Sequence, residues 1–296
     1  MEIQTNQNLI FSARLFGGIG NQLFQVALAY AFAKKYNARL LFETKVYGEY
    51  RIDNQGSPPS RYYSTLYKKI EFADWLKPTE YVPEKFFLSY DLTPDVDALI
   101  SKQTENPKIV SFGGHWQSVN YFKDCREDVK KLFTPTEGII EYLKNNTSFF
   151  EKFPELMEDN DFCFIGVRRG DFIRHASFHN PCGFHYYSTA MSIMNKKRYY
   201  IASDDYEWCK RKFVGDQYRF LEVEDDLIQL YVTGLFKNYI ISNSTFHWWG
   251  SFFTIYENPF IIAPDKWAFS HGGTLQEYYT IYRPEMNILE RYVEID

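Results

Sequence analysis

The stretch FCFIGVRRGDF, residues 162–172, decides the fold, because an apolar run of strand length passes there directly into charged residues. Similar apolar runs follow and alternate with segments of helical periodicity. Strands are predicted at Phe162–Val167, Arg198–Ala202, Tyr218–Glu222, Tyr239–Ile241 and Phe260–Ala263, and helices at about Phe184–Asn195, Tyr206–Phe213, Asp225–Phe236 and Thr245–Tyr256. This alternation predicts an α/β fold with an open, doubly wound parallel sheet. Ligands of such sheets bind beyond the carboxyl ends of the strands, so the residues after each strand are candidates for a functional site.

Polar residues follow four of these predicted strands. They are Arg168 and Arg169 after the first, Ser203, Asp204 and Asp205 after the second, the acidic segment 222–226 after the third, and Ser242, Asn243, Ser244 and Thr245 after the fourth. Because the carboxyl ends of parallel strands meet at one edge of the sheet, we expect these side chains to face one crevice. Together they indicate a site for a nucleoside diphosphate.

Each group suits one part of such a ligand. A guanidinium grips two phosphate oxygens at once, and a helix that begins at Ser244 and Thr245 offers free backbone N–H groups to an anion. The carboxylates of Asp204 and Asp205 are acceptors for guanine N–H groups or ribose hydroxyls. Each group also has a structural explanation, namely an ion pair of the arginines with Asp171 and N-caps for the helices that follow. Their joint occurrence at three strand ends favours function.

A glycine turn marks a second parallel unit near the start of the chain. Leu9–Leu15 is predicted to be a strand, residues 16–22 form the turn FGGIGNQ, a helix follows, and Arg39–Phe42 is the next strand. This β–turn–α–β order is typical of a parallel sheet. The turn lacks the Gly-x-Gly-x-x-Gly fingerprint, since position 23 is Leu, and it lacks the Lys-Ser/Thr ending of an NTPase loop. Asn21 and Gln22 nevertheless place polar groups at a helix start.

Length and composition bound the class of protein. The chain of 296 residues favours two domains, and the acidic segment Glu155–Asp161 suggests an N-terminal domain at 1–158 and a C-terminal domain at 159–296. With 45% hydrophobic residues the chain has enough apolar material for a core. Its net charge of −5 disfavours nucleic acid as a partner and a membrane held by overall charge. The 19% of aromatic residues suits sugar-binding surfaces, although most of these rings are expected in the core.

Targeting signals and cysteines give a simpler expectation. The first residues contain no basic stretch followed by an apolar one, and no apolar run reaches the length of a membrane span. We therefore expect a cytoplasmic protein with at most a peripheral association at the inner face of the membrane. The four cysteines lie far apart and make no metal-ligand motif, so they are predicted to be reduced, structural thiols.

Four segments resemble the motif set of glycosyltransferase family 11. They are FGGIGNQLFQ at 16–25, VRRGDF at 167–172, YIASDDYEWCK at 200–210 and SNSTFHWWG at 242–250, in the order of the family. Members are α-1,2-fucosyltransferases that mostly act on terminal β-galactosides. The resemblance implies a GT-B fold, with two Rossmann-like domains facing across a cleft. It also implies inverting transfer of L-fucose from GDP-fucose to the 2-hydroxyl of a β-galactoside-terminated oligosaccharide, with no metal ion or other cofactor.

The resemblance also implies site residues. Catalytic roles fall to Arg168, which would hold the β-phosphate, to Asp171 and to Asn21. The donor-binding set would be Gly18, Gly20, Asn21, Gln22, Arg168, Arg169, Ser203, Asp204, Asp205, Asn243, Ser244, Thr245 and Phe246, and the acceptor-binding set on the N-terminal domain would be His115 and Trp116. Asp171, His115 and His247 stay open as the base that takes the acceptor proton.

Two positions depart from the family pattern. Gly166 stands where many members have a histidine two residues before the arginine doublet, and His115 stands where relatives usually carry an aromatic residue. The first departure removes a side chain from the implied guanine pocket, so the expected guanine contacts fall to Asp204 and Asp205.

Other functions fit parts of the same pattern. A nicotinamide-dependent reductase would use a similar sheet and an acid such as Glu43 for the ribose, but the incomplete glycine fingerprint disfavours it. A non-catalytic protein that binds a nucleotide sugar or a glycan, and a fucosyltransferase with an acceptor other than galactose, stay open.

Overall fold

The computed structural model describes residues 6–44, 57–84, 96–101, 107–157, 161–268 and 280–290. The chain divides into two compact units, Met1–Pro135 with Tyr279–Tyr282 and Thr136–Tyr278 with Arg283–Asp296. Each unit contains a sheet in which all described strand pairs are parallel. The predicted α/β class, with two Rossmann-like units, is therefore confirmed.

The first unit is a five-stranded sheet with helices packed on it. Its strands are β1 (Asn6–Ala13), β2 (Ala38–Glu43), β3 (Glu71–Ala73), β4 (Glu80–Pro83) and β5 (Lys108–Gly113), and its helices are α1 (Ile19–Lys35), α2 (Val96–Ser101) and α3 (Arg126–Phe133), with 3₁₀ turns at Pro59–Tyr62, Val119–Tyr121 and Lys123–Cys125. The strand order is β3-β2-β1-β5-β4. Phe32 of α1 packs on Phe112 of β5 with 4.9 Å between ring centroids, and Phe11 of β1 lies beside both. Buried aromatic contacts thus hold the long helix on the sheet.

The second unit is a six-stranded sheet. Its strands are β6 (Cys163–Val167), β7 (Tyr199–Ser203), β8 (Tyr218–Phe220), β9 (Asn238–Ile241), β10 (Phe260–Pro264) and β11 (Met286–Leu289). Its helices are α4 (Ile139–Asn146), α5 (Phe149–Lys152), α6 (Gly170–Arg174), α7 (Ala176–His179), α8 (Phe184–Met194), α9 (Tyr206–Lys212), α10 (Asp226–Thr233) and α11 (Thr245–Phe252), with a 3₁₀ turn at Pro154–Met157. The strand order is β11-β10-β9-β6-β7-β8. The first strand of the unit, β6, therefore lies between the second and the fourth, as in a dinucleotide-binding fold.

Several boundaries of elements and domains in the structure differ from the predicted ones. The sheet gains β11, which sequence periodicity did not indicate, and the predicted helix Thr245–Tyr256 ends at Phe252. The domain boundary predicted between residues 158 and 159 lies outside the described residues, and the two units divide earlier, after Pro135. Packing explains this division: Tyr142 of α4 contacts the ring of Tyr231 in α10 at 5.2 Å, so α4 belongs to the second unit.

The four cysteines match the expectation from the sequence that they are reduced thiols. All four cysteines are free thiols and buried, and burial raises the pKa of the Cys125 thiol to about 11 and that of Cys209 to about 12. Such thiols are not reactive near neutral pH.

Among the described residues, no helix combines the length and the apolar character needed to cross a membrane.

Candidate active site

The order of the strands in the second unit creates a crevice between β6 and β9. The connections from these two neighbours leave in opposite directions along the sheet, and ligands of α/β proteins bind at such a point. The backbone N–H of Ser242, which follows β9, donates to the carbonyl oxygen of Gly166 in β6 at 3.1 Å. This bond ties together the two strand ends that carry Arg168 and the start of α11.

Arg168 is a half-buried cation at this point. Its Nη2 lies 2.6 Å from Oδ1 of Asp171 and its Nη1 lies 2.9 Å from Oδ2 of Asp204. The guanidinium is also 5.4 Å from the ring centroid of Phe172, and the side chain is 35% exposed. Because a guanidinium has five N–H donors, these two carboxylates orient it and still leave donors for a bound anion.

Arg169 has a different environment from its neighbour. Its side chain is 9% exposed, lies 4.0 Å from the ring centroid of Trp208, and places Nε 3.3 Å from Oδ2 of Asp205. Adjacent residues of an extended segment point to opposite sides, which accounts for the split. The structure therefore shows a packing role for the Arg169 side chain on Trp208, and the donor contact predicted for it stays a prediction.

The carboxylates after β7 are largely used within the protein. Asp205 caps α9 by accepting the N–H of Trp208 at 3.0 Å, and its own N–H donates to Ser203 Oγ at 2.9 Å. Asp204 accepts the backbone N–H of Arg169 at 2.8 Å through the oxygen that does not face Arg168. In the structure the carboxylates of Asp204 and Asp205 hold the two arginines, and Asp205 also caps α9. The guanine or ribose contacts predicted for them stay predictions.

The start of α11 offers the second anion-binding feature. Ser244 is the N-cap, and its hydroxyl accepts no hydrogen bond from the first turn of the helix. The first turn carries no acidic residue, and Thr245 and Phe246 are half-buried there. Backbone N–H groups and the helix dipole favour an anion at such an N-terminus. These residues lie where the sequence predicted them.

Asn243 is buried and fastens loops instead of facing the crevice. Its amide nitrogen donates to the carbonyl oxygens of His179, of Asn180 at 3.4 Å and of Trp267 at 2.6 Å, while Cys182 Sγ lies 3.7 Å from its Oδ1. Asn243 thus joins the segments that follow α7 and β10. The donor contact predicted for Asn243 stays a prediction.

His247, in the first turn of α11, is buried among strand ends. Its Nδ1 shares a hydrogen bond with Ser242 Oγ at 2.9 Å. Burial lowers the pKa of His247 to about 3, and the positive charge of Arg168 adds to that shift. The imidazole is therefore neutral near pH 7 and a weak base, which disfavours it as the group that takes the acceptor proton.

The glycine turn of the first unit holds its shape by internal bonds. Gly17 has a φ of +76°, a conformation that favours glycine, and the space beside the α-carbon of Gly18 is open. Gly20 is buried in the first turn of α1, and Oδ1 of Asn21 accepts from Gln117 at 2.9 Å. The donor contacts predicted for Gly18, Gly20 and Asn21 stay predictions.

Gln22 belongs to the framework of this turn. It is fully buried, and its amide nitrogen donates to Gly17 at 2.9 Å and to Ser57 at 2.8 Å, while its oxygen accepts from the hydroxyl of Tyr67 at 3.1 Å. These bonds use both N–H groups of the side chain, and the donor contact predicted for Gln22 stays a prediction. Gln25, which carried no functional signal in the sequence, has a similar role, since it bonds both Phe16 and Gly114 at the strand ends.

Of the residues predicted to bind the acceptor, Trp116 is buried and His115 is half-buried. Trp116 is 1% exposed, and burial lowers the pKa of His115 to about 4. Their backbone N–H groups donate to the two carboxylate oxygens of Glu84, at 2.7 Å from His115 and 2.9 Å from Trp116. The side chain of Tyr81 is exposed nearby, with the guanidinium of Arg14 4.2 Å from its ring centroid. Sequence alone carried no signal for Glu84 or Tyr81, because their place depends on the pairing of β4 with β5.

The described residues contain no group of three or more His, Cys, Asp or Glu side chains arranged to hold a metal ion. The charged groups identified at the crevice are Arg168 and its two carboxylate partners.

Parallel sheets in two units, with an oriented arginine and a helix N-terminus at a strand-order switch, define an α/β protein of the class whose ligands bind beyond the carboxyl ends of the strands. The chain belongs to glycosyl transferase family 11, whose model matches residues 86–290. It is therefore a glycosyltransferase, as the motifs indicated. It is 26% identical over 281 residues to an α-1,2-colitosyltransferase of Escherichia coli, with 87% of this chain and 92% of that protein covered.

Other similar proteins include an O-antigen biosynthesis glycosyltransferase, WbnK of Escherichia coli, at 25% identity over 86% of this chain and 93% of that protein. Among solved structures, fucosyltransferase NodZ from Bradyrhizobium is 14% identical, with 84% of this chain and 94% of that chain covered and a TM-score of 0.46. The structure of POFUT1 in complex with GDP is 13% identical, with 88% and 98% covered and a TM-score of 0.47.

Proposed function

We propose that the chain transfers L-fucose from GDP-fucose to the 2-hydroxyl of a terminal β-galactoside, with inversion and without a metal ion. The observation that carries this proposal is Arg168, which Asp171 and Asp204 orient beside the start of α11 at the switch point of the sheet. A cation and a helix N-terminus at one crevice suit a diphosphate. The motif set supports fucose as the sugar and galactose as the acceptor.

The reaction is a single displacement. The acceptor oxygen forms a bond to the anomeric carbon of fucose while the bond from that carbon to the β-phosphate oxygen breaks, and GDP leaves with added negative charge. Arg168, held in place before the reaction, stabilises this charge more in the transition state than in the bound donor. The acceptor hydroxyl loses its proton to a base in the same step. Asp171 is the proposed base, and inversion requires its carboxylate to reach the face of the sugar opposite the leaving phosphate.

A colitosyl donor is the second candidate. It rests on the similarity to an α-1,2-colitosyltransferase. Colitose lacks the 3-hydroxyl of fucose, so the two donors differ by one hydrogen-bonding group. A protein that hydrogen-bonds the 3-hydroxyl would discriminate strongly against colitose.

The test is the release of GDP by the purified chain. GDP-fucose, GDP-colitose and GDP-mannose are each incubated with and without lactose, a simple β-galactoside, and the product linkage is determined by NMR. We expect lactose-dependent release from GDP-fucose and an α-1,2 linkage. Release from GDP-colitose alone would favour the second candidate, and no release with either 6-deoxy sugar would refute the donor class.

A further inference from the structure

Gly166 and His247 compete for one space. A β-carbon placed on Gly166 would lie 2.5 Å from Cγ, 2.6 Å from Nδ1 and 2.8 Å from Cδ2 of the His247 imidazole. Carbon atoms do not approach this closely, so the ring can lie on β6 only because residue 166 has no side chain. The glycine is therefore required by packing across the sheet end, not by its own backbone angle.

The imidazole is held firmly in that space. Ser242 Oγ, which is fully buried, bonds Nδ1 at 2.9 Å, and the ring of Phe164 lies 5.9 Å away between centroids. The N–H of Ser242 in turn bonds Gly166. His247 is 5% exposed, so the ring has little freedom to turn.

In the parts of the chain that the structure describes, no residue hydrogen-bonds Nε2 of His247. Although the residue as a whole is buried, Nε2 itself keeps contact with solvent, so a ligand can reach it. The ring lies on Gly166, two residues before Arg168 and bonded through its carbonyl oxygen to Ser242, so it lies where the two strand ends meet at the crevice.

We propose that His247 binds the donor: Nε2 of its uncharged imidazole makes a hydrogen bond with the nucleoside diphosphate beside Arg168, from the space that Gly166 leaves open. This inference rests on the proposed function, since it requires a nucleoside diphosphate at the crevice. It makes residues 166 and 247 a reciprocal pair, because a side chain at one position is compatible only with a smaller residue at the other.

Two substitutions separate ligand binding from packing. The side-chain amide of asparagine can replace Nδ1 and keep the bond to Ser242, whereas that of glutamine reaches the position of Nε2. GDP affinity is measured by titration calorimetry for the wild type, His247→Asn and His247→Gln, and the Tm of each protein is recorded. We expect His247→Asn to weaken GDP binding about 10-fold or more, as for loss of a hydrogen bond to a charged group, and His247→Gln to retain most of the affinity.

The outcomes distinguish a failure of the role given to His247 from a failure of the proposed function. If wild type binds GDP and His247→Asn binds it equally well, His247 has no role in donor binding and this inference is wrong. If the wild type does not bind GDP at all, the proposed function fails and this inference fails with it. If His247→Asn bound GDP more tightly than His247→Gln, the bond from Nδ1 to Ser242 would be what supports binding, and the inference that Nε2 binds the donor would be wrong.

The shared space is tested by stability alone. Gly166→Ala is expected to lower the Tm, and Gly166→Ala combined with His247→Ser is expected to recover it, because serine removes the ring that the new methyl group meets. An unchanged Tm in Gly166→Ala, or equal losses in the single and double variants, would refute the reciprocal pair.

Discussion

Replacement of Arg168 by lysine is expected to remove most of the turnover and to leave the fold intact. In the structure two nitrogens of one rigid plane are held by two carboxylates, Nη2 at 2.6 Å from Asp171 and Nη1 at 2.9 Å from Asp204. Lysine has a single nitrogen on a flexible stem and cannot fill both positions. The cation would keep its charge but lose its orientation and its planar grip on phosphate oxygens.

The expected loss in rate follows from the charge that develops on the leaving group. Removal of one preorganised donor to such a charge costs about 3–4 kcal/mol, or about 100- to 1000-fold in kcat. The expected loss in stability is much smaller. The Arg168 side chain is 35% exposed, and ion pairs of this kind contribute about 0–1 kcal/mol, which corresponds to a fall in Tm of at most about 4 °C.

Arg169→Lys is the matched control, since it makes the same chemical change one residue away. The Arg169 side chain is 9% exposed and lies 4.0 Å from the ring centroid of Trp208. Loss of a desolvated cation–π contact costs about 2 kcal/mol, so the Tm should fall by about 4–8 °C. Turnover of the folded protein should fall much less than in Arg168→Lys.

The assay is steady-state GDP release from GDP-fucose with lactose as acceptor, together with GDP affinity and Tm for both variants. Turnover of Arg168→Lys within a few-fold of the wild type would refute the phosphate role of Arg168. If Arg169→Lys were the inactive variant at a temperature where it is folded, the assignment of roles between the two arginines would be wrong.

Three other perturbations test the remaining features. Excess EDTA is expected to leave turnover unchanged, because Arg168 and the N-terminus of α11 are proposed to offset the diphosphate charge; loss of activity that Mg²⁺ or Mn²⁺ restores would contradict metal independence. Gly17→Ala should destabilise the chain by about 1–2 kcal/mol in urea unfolding because of its φ of +76°, whereas Gly18→Ala, with open space around its α-carbon, should not; equal losses would refute the turn geometry. Burial lowers the pKa of His115 to about 4, so as pH falls below about 6.5 the unfolded chain takes up a proton that the folded chain does not. The wild type should therefore lose about 2 kcal/mol of unfolding free energy between neutral pH and pH 5, and His115→Phe should not. Parallel pH profiles of the two proteins would show that His115 is not buried in the neutral form.

Local features determined the fold class and the position of the candidate site. Apolar runs of strand length, helical periodicity and capping residues act over a few positions, so β6, β7 and β9 and the polar residues after them could be predicted from the sequence. The motif set likewise indicated the family, because each of its segments is a short run of consecutive residues. The strand β11 was missed because Met286 is its one buried residue, so it makes no apolar run, and its pairing with β10 is a long-range contact.

The tertiary structure decided which polar residues face the crevice and which hold loops together. Gln22 and Asn243 resembled ligand-binding residues in the sequence, yet each is bonded to carbonyl oxygens from distant segments, Ser57 for the first and Trp267 for the second. A polar residue at a strand end has the same local pattern in either role. Its partner depends on which segments the fold brings together, and that information is not present within a few residues.

Gly166 and His247 show the same division most clearly. In the sequence, the glycine is a departure from a family motif and the histidine is one aromatic ring among several. Only the pairing of β6 with β9, and the helix that follows β9, brings the imidazole onto the glycine. Sequence determined the strands, the arginine doublet and the family; the order of the strands determined that Arg168, Ser242 and His247 meet, because contact between elements is a property of the folded chain.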